Sequence, residues 1–185
     1  MNIKNIYRLY VDLYILIYLG YILYIYWLRP TYNLVSTTAI LLPFIILVVF
    51  RWVLEKQTKA TANKKEKRRF IIQFILVSTL PILCGFMLTL NEYKSHFSTE
   101  RWVNNPGERV YMVDDLLTDY KLSDKSREEI VHLLGDPTET WYFKEENNIV
   151  YYLGDERGLI RIDSEWLVIW FNDDDKVIKD RIKTD

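Results

Sequence analysis

Three apolar runs without any charged residue constrain what this 185-residue chain can fold into; they cover residues 13–28, 30–50 and 70–90. About 20 helical residues cross the hydrocarbon core of a bilayer, which is about 30 Å thick. A helix that packs on a soluble core would need a polar face, and none of these runs has one. We therefore predict a membrane region over residues 1–90, with three transmembrane helices at residues 7–28, 34–54 and 70–90.

The charges divide the chain into a basic and an acidic half. Residues 1–90 carry 11 Lys and Arg against 3 Asp and Glu, whereas residues 91–185 carry 13 against 22. The total of −1 is not that of a basic nucleic-acid-binding protein, so we expect no nucleic-acid partner. The two halves are physically different and are interpreted separately.

The orientation follows from the basic loop between the second and third runs, because short cytoplasmic loops are enriched in Lys and Arg. We predict a multi-pass cell-membrane protein with a cytoplasmic N-terminus and an extracellular or periplasmic C-terminal domain. The same loop could hold anionic lipid headgroups. The candidate headgroup-binding residues are Lys64, Lys65, Lys67, Arg68 and Arg69.

Six tyrosines between Tyr7 and Tyr24 recur at spacings of three or four residues, which places them on one face of the first helix. Such a row fits helix packing with aromatic anchoring at the membrane interfaces. The alternative is a polar path through the bundle. In that case the protein would be a membrane sensor, transporter or channel subunit in which the three spans carry the function.

The C-terminal half has the pattern of a small α+β domain at residues 110–185, joined to the spans by a juxtamembrane linker at residues 91–109. We predict a first helix at residues 110–120, and a second that begins with the capping-box pair Ser126 and Glu129 and ends at Gly135. Alternating apolar residues then predict an antiparallel sheet of three or four strands, at residues 140–144, 149–153, 165–171 and 177–182.

Residues 110–182 resemble the SmpA/OmlA (BamE-like) domains. The resemblance is carried by Leu122 with residues 126–130 and 133–137, which match the second-helix signature, and by residues 151–154 and 166–172, which match the second and third strands. It implies two helices packed on a three- or four-stranded antiparallel sheet, and a non-enzymatic protein-interaction role in the cell envelope. The chain departs from the family at residues 123–125, where a glycine-containing turn is usual. It also has three spans in place of a lipid anchor.

The sequence contains no pattern of residues typical of catalysis. It has two histidines and one cysteine, and no phosphate-binding loop, nucleophile elbow or metal-binding motif. We therefore expect no enzyme activity, no catalytic or metal site and no cofactor.

The predicted strand at residues 165–171 is apolar on both faces, since Trp166, Val168 and Trp170 alternate with three other apolar residues. Helices can cover only one face of the sheet. The other face must therefore be covered by residues 97–103, by a second copy of the chain or by an envelope protein. Large exposed aromatic patches mark interaction sites. The candidate protein-binding residues are Trp141, Phe143, Trp166, Val168 and Trp170. The predicted function is that of a membrane-anchored scaffold or accessory protein facing the envelope.

Overall fold

A computed structural model of the protein describes residues 3–58 and 64–185. Lys59, which belongs to the basic loop, lies outside the described residues. The chain divides into two compact units, Met1–Glu92 and Tyr93–Asp185, and each is described by itself.

The first unit consists of three long helices. They are α1 (Ile3–Leu28), α2 (Leu34–Thr58) and α3 (Lys64–Ser95), the last of which continues into the second unit. Each contains a segment long and apolar enough to cross a membrane, at Asn5–Leu28, Leu34–Gln57 and Lys67–Ser95. The prediction of three such helices is confirmed.

Helix α3 runs five residues beyond the predicted end at residue 90. The side-chain amide of Asn91 donates hydrogen bonds to the carbonyl oxygens of Ile25 (3.3 Å) and Pro30 (3.2 Å). These bonds hold the polar end of the helix against the end of α1. The start of α2 is fixed locally, because Asn33 and Ser36 each accept a hydrogen bond from the other's backbone N–H at 3.0 Å or less.

The second unit begins with four short helical elements. They are α4 (Thr99–Asn104), a 3₁₀ helix (Pro106–Tyr111), α5 (Val113–Asp119) and α6 (Arg127–Leu134). The predicted first helix at residues 110–120 is therefore wrong in its bounds. Residues 97–104, expected as linker, instead supply the buried side chains of Phe97 and Trp102 to the core.

The capping box at the start of α6 is confirmed. The Ser126 hydroxyl accepts a hydrogen bond from the Glu129 N–H (3.2 Å), and the Glu129 carboxylate accepts one from the Ser126 N–H (2.7 Å). The bond from the Ser126 backbone N–H also lowers the pKa of Glu129. The helix ends at Gly135, whose φ of +73° is a left-handed value that glycine adopts without strain.

A three-stranded antiparallel sheet follows, with strands in chain order. The strands are β1 (Asn148–Asp155), β2 (Ser164–Phe171) and β3 (Val177–Thr184). The predicted strand at residues 140–144 is wrong, because this segment forms turns. The side-chain amide of Asn148 binds the backbone here: its N–H donates to the Phe143 carbonyl (2.7 Å), and its oxygen accepts from the Glu145 N–H (2.9 Å). Phe143 has a φ of +55°.

One face of the sheet packs against the helices to form the main core. The buried side chains of β1 and β2 on this face are Ile149, Tyr151, Leu153, Leu167, Ile169 and Phe171. Arg109 is buried at its edge and donates hydrogen bonds to the carbonyl oxygens of Trp102 (2.7 Å) and Tyr152 (3.2 Å). Burial lowers the pKa of this guanidinium. Arg109 thus joins α4 to the sheet through backbone carbonyls.

Gly154 lies where β1 bulges, and no side chain fits there. Its φ is +125°, and a Cβ would lie 2.4 Å from the Gly107 carbonyl oxygen. We expect Gly154→Ala to destabilise the second unit by about 2–4 kcal/mol, through backbone strain and the clash together. Hydrogen exchange of the β1 amides in the full chain measures this loss.

Gly107→Ala is the matched control, because a Cβ at Gly107 meets nothing within 4 Å. It should change the free energy of unfolding by less than about 0.5 kcal/mol. Equal protection of the β1 amides in the two variants would contradict the close contact between the two backbones.

Candidate functional site

The second face of the sheet, which faces away from the helices, forms a small aromatic cluster of its own. Val150, Trp166 and Val168 are buried in it, and Phe143, Tyr152 and Trp170 are partly buried around them. This face contains four of the five predicted protein-binding residues. We call it the aromatic face.

Residues 138–143 cover much of the aromatic face by running beside the free edge of β1. The Thr138 N–H donates to the Val150 carbonyl (2.8 Å), and the Thr138 hydroxyl accepts from the Tyr152 N–H (2.9 Å). The segment that sequence analysis considered as a cover, residues 97–103, packs on the other side of the sheet. The expectation that it could cover the aromatic face is therefore wrong.

Three rings form a stack that leads from the aromatic face outward. The Tyr142 ring lies 5.3 Å from that of Trp166 at an angle of 23°, and the Trp141 ring lies 5.8 Å from that of Tyr142 at 24°. Tyr152 meets Trp166 edge-on at 5.1 Å. The inner end of the stack is buried, whereas the outer ring, Trp141, is 84% exposed. The stack therefore holds a large aromatic surface in a fixed position.

Basic side chains of β3 border the aromatic face. The register places Lys179, Arg181 and Lys183 opposite Trp170, Val168 and Trp166. The Lys179 and Lys183 ammonium groups lie 5.0 and 5.1 Å from the centre of the Trp170 ring, within the range of cation–π attraction. The Trp170 indole N–H donates to the Glu145 carboxylate at 2.8 Å. The second unit is acidic as a whole, but basic side chains of β3 border its aromatic face.

The five predicted binding residues differ in accessibility. Val168 is fully buried and Trp166 is only 7% exposed, so both are core residues of this face. Phe143 and Trp170 are half-buried, and Trp141 alone of the five is well exposed. Sequence analysis missed Tyr142, Lys179 and Lys183. Alternation along residues 177–183 could have indicated the lysines, but nothing local indicated that Tyr142 stacks on Trp166.

The tyrosines of α1 bind backbone carbonyl groups of the other two helices. The Tyr10 hydroxyl donates to the Pro43 carbonyl (2.6 Å), and the Tyr14 hydroxyl to the Val77 carbonyl (3.1 Å). The Tyr18 hydroxyl donates to the Ile40 carbonyl. Tyr14 and Tyr18 are fully buried. Their hydroxyls are therefore occupied in joining helices.

One of these acceptors, the Val77 carbonyl, lies where a proline interrupts the backbone hydrogen bonds of α3. Val77 is four residues before Pro81, so its carbonyl has lost the N–H that a regular helix would supply. In hydrocarbon an unsatisfied carbonyl is costly, and neighbouring helices commonly satisfy the groups that proline frees. Tyr14 supplies the missing donor to Val77. Tyr10 and Tyr18 bind the carbonyls of Pro43 and Ile40, neither of which is the Ala39 carbonyl that Pro43 leaves without its N–H.

A hollow of about 430 Å³ lies between α2 and α3. Its lining is predominantly apolar and includes Phe44, Pro81 and Leu88. Ser78 also borders it, but the Ser78 hydroxyl donates to the Phe74 carbonyl of its own helix at 2.7 Å. The hollow offers lipid chains or apolar side chains a better environment than ions.

The candidate headgroup-binding residues lie on the first two turns of α3. Lys64, Lys65, Lys67, Arg68 and Arg69 all expose their side chains. Arg51 of α2, which sequence analysis did not single out, lies near this end and binds the Phe70 carbonyl (2.8 Å) and Glu55 (2.8 Å). It joins α2 to α3 and leaves the basic cluster of α3 open.

Within residues 3–58 and 64–185, no group of three or more His, Cys, Asp or Glu side chains is arranged to hold a metal ion. His96 lies 3.2 Å from Asp115 and is largely exposed. The Glu165 and Asp114 carboxylates bind the Arg157 guanidinium, and their charges raise its pKa although burial alone would lower it.

Comparison with known proteins does not assign the chain to a family. No protein-family model matches it, and the searches of the curated proteins and of the solved structures found no match.

The bond between Tyr14 and Val77 can be tested by a double-mutant cycle with Pro81. Tyr14→Phe should destabilise the bundle by about 1 kcal/mol, because the Val77 carbonyl loses its donor. In the Pro81→Ala background the N–H of residue 81 can bind Val77, so Tyr14→Phe should cost much less. Unfolding in mixed detergent micelles, followed by circular dichroism, measures both differences.

Tyr24→Phe serves as the control, since Tyr24 lies on the same helix and its side chain is half exposed. It should leave stability unchanged in both backgrounds. An equal cost of Tyr14→Phe with and without Pro81 would show that the hydroxyl does not replace the missing N–H.

Proposed function

We propose that this chain is a membrane-anchored protein-interaction module that acts as a scaffold or accessory protein in the cell envelope, without catalytic activity. The three apolar helices anchor it in the membrane, and the second unit binds a protein partner. The observation that carries the proposal is the aromatic stack. Its outer ring, Trp141, is 84% exposed, whereas the ring at its inner end, Trp166, is buried.

The stack has the properties of an interface anchor. Tryptophan and tyrosine are enriched among the residues that contribute most to binding, and rigid aromatic side chains lose little entropy on association. Lys179 and Lys183 add positive charge beside the stack. The surface therefore fits a partner segment that has an apolar side chain next to a carboxylate.

The helical bundle supports an anchoring role more than a transport role. A polar path would need hydroxyl groups directed at water or ions, whereas the Tyr10, Tyr14 and Tyr18 hydroxyls all bind backbone carbonyls. Intramembrane charged groups usually mark the site of transport, and the three runs at residues 13–28, 30–50 and 70–90 contain none. The tyrosine row is better explained by helix packing, and so we place the function in the second unit.

We further propose that the second unit is a BamE-like domain and lies outside the cytoplasm. The capping box of α6 and the antiparallel order of β1, β2 and β3 support the first point. The exposed basic residues at the start of α3 support the second, since such clusters remain on the cytoplasmic side.

A photoreactive amino acid at position 141, in the full chain and in its own membrane, tests the binding surface. We expect one specific crosslinked protein from position 141 and none from position 132 on α6, whose side chain is also exposed. Trp141→Ala should then reduce co-purification of that protein by tenfold or more.

The stability of the variants separates loss of binding from loss of fold. Trp141→Ala should leave unfolding unchanged, because the side chain is exposed. Trp166→Ala should destabilise the unit by about 3–5 kcal/mol, since Trp166 is buried. The proposal would be wrong if crosslinking from positions 141 and 132 were the same, or if Trp141→Ala left co-purification intact.

A further inference from the structure

The loop that joins β1 and β2 exposes three aliphatic side chains close together. Leu159, Ile160 and Ile162 are 69%, 72% and 83% exposed. Single exposed apolar residues are ordinary, but three within four positions form a patch, and apolar patches of this kind mark contacts with proteins or membranes. This loop is separate from the aromatic stack on which the proposed function rests.

The base of the loop is bound to the body of the unit through its backbone and through Arg157. The Glu156 N–H donates to the Asp163 carbonyl (2.8 Å) and closes the base of the loop. The Arg157 guanidinium binds the Glu165 carboxylate at 2.9 Å and the Asp114 carboxylate at 2.5 Å. Glu165 itself is buried. One side of the loop base is therefore fixed by an ion-pair network.

Arg161, the charged residue between the aliphatic side chains, is also directed inward. Its guanidinium donates to the Gly158 carbonyl (3.4 Å) and lies 3.5 Å from the Tyr111 hydroxyl. The aliphatic side chains thus project outward while both arginines bind groups of the unit. The three aliphatic side chains form an apolar patch on the outside of the loop, with Asp163 exposed beside it.

The chain itself limits how far this unit can be from a bilayer. Leu90 ends the uncharged run of the third span, and Phe97 is already a buried residue of the second unit's core. The six residues between them would reach about 25 Å even if fully extended, and part of this stretch is helical and therefore shorter. A bilayer surface is thus always within short reach of the unit.

We propose that Leu159, Ile160 and Ile162 insert into the interfacial region of the bilayer in which the protein's own helices are anchored. Aliphatic side chains enter this region without needing hydrogen-bond partners. Charge does not drive the contact, because residues 91–185 carry 22 acidic against 13 basic residues and anionic headgroups repel them. The ligand is therefore the acyl-chain boundary of the lipid, whatever its headgroup.

The test uses the full chain with Cys84→Ala and Ile160→Cys, labelled at position 160 with an environment-sensitive fluorophore. One copy is reconstituted per phosphatidylcholine nanodisc, which excludes partner proteins and second copies. We expect a blue-shifted emission and at least twofold quenching by lipids brominated on their acyl chains. Replacing a third of the lipid by phosphatidylglycerol should not strengthen the quenching.

Ile178→Cys is the matched control, because Ile178 is an aliphatic residue of β3 with a similar exposure of 63%. Its label should emit as in water and remain unquenched. Leu159→Asp combined with Ile162→Asp should release the label at position 160 into water while the emission of the folded unit's tryptophans stays unchanged.

Water-like, unquenched emission from position 160 would overturn the proposal. If that label became protected only in native membranes, the loop would instead bind a protein. Quenching that appeared only with phosphatidylglycerol would also overturn it, since a headgroup would then be the ligand. None of these results depends on whether Trp141 binds a partner, so the two proposals can fail separately.

Discussion

The central strand of the sheet carries large apolar side chains on both faces, and the second unit is organised around covering both of them. The helices and residues 97–104 cover one face. The other face is covered by a few residues that follow α6, pass along the edge of β1 and place Tyr142 on Trp166. Within this cover, Trp141 stacks on the outer side of Tyr142 and stays exposed. The candidate binding surface is thus a consequence of how a small unit buries a two-sided strand.

The membrane half solves a different problem, in which polar backbone groups rather than apolar faces need partners. Prolines in α2 and α3 interrupt the backbone hydrogen bonds, and hydrocarbon supplies no water to replace them. The buried Tyr14 of α1 donates the bond that Pro81 removes from Val77, and Tyr10 and Tyr18 donate to further carbonyls of α2. Three hydroxyl groups of the row that could have been a transport path, those of Tyr10, Tyr14 and Tyr18, instead join the three helices. A bundle whose helices are joined in this way is suited to anchoring.

The sequence predicted those parts of the structure that depend on local patterns. Uncharged apolar runs located the three long helices, and the Ser126–Glu129 pair located the start of α6. Alternation over residues 140–144 predicted a strand that does not exist. There the backbone binds the side chain of Asn148, and Phe143 adopts a left-handed conformation. The alternation of apolar and polar residues indicates neither of these features. The burial of Phe97 and Trp102 in the core of the second unit likewise depends on distant strands, which local patterns do not show.

The same distinction applies to the candidate site. Residue type alone indicated the aromatic residues of the second face, but accessibility divides them into core residues and one exposed anchor, and accessibility depends on the tertiary fold. The pairing of Lys179 and Lys183 with Trp170 also requires the register of two strands. The proposed function therefore rests on a surface, the exposed end of the Trp141 stack with its basic border, more than on a motif.

An exchange of anchors tests most directly whether the second unit, and not the bundle, carries the function. Residues 1–90 would be replaced by an unrelated three-span anchor of the same orientation, with residues 91–185 unchanged. Crosslinking from position 141 in native membranes would then be compared with that of the natural chain. The account predicts the same crosslinked partner at a similar yield. Loss of that partner from a chimera whose second unit is folded and outside the cytoplasm would contradict it, and would place the function in the three helices.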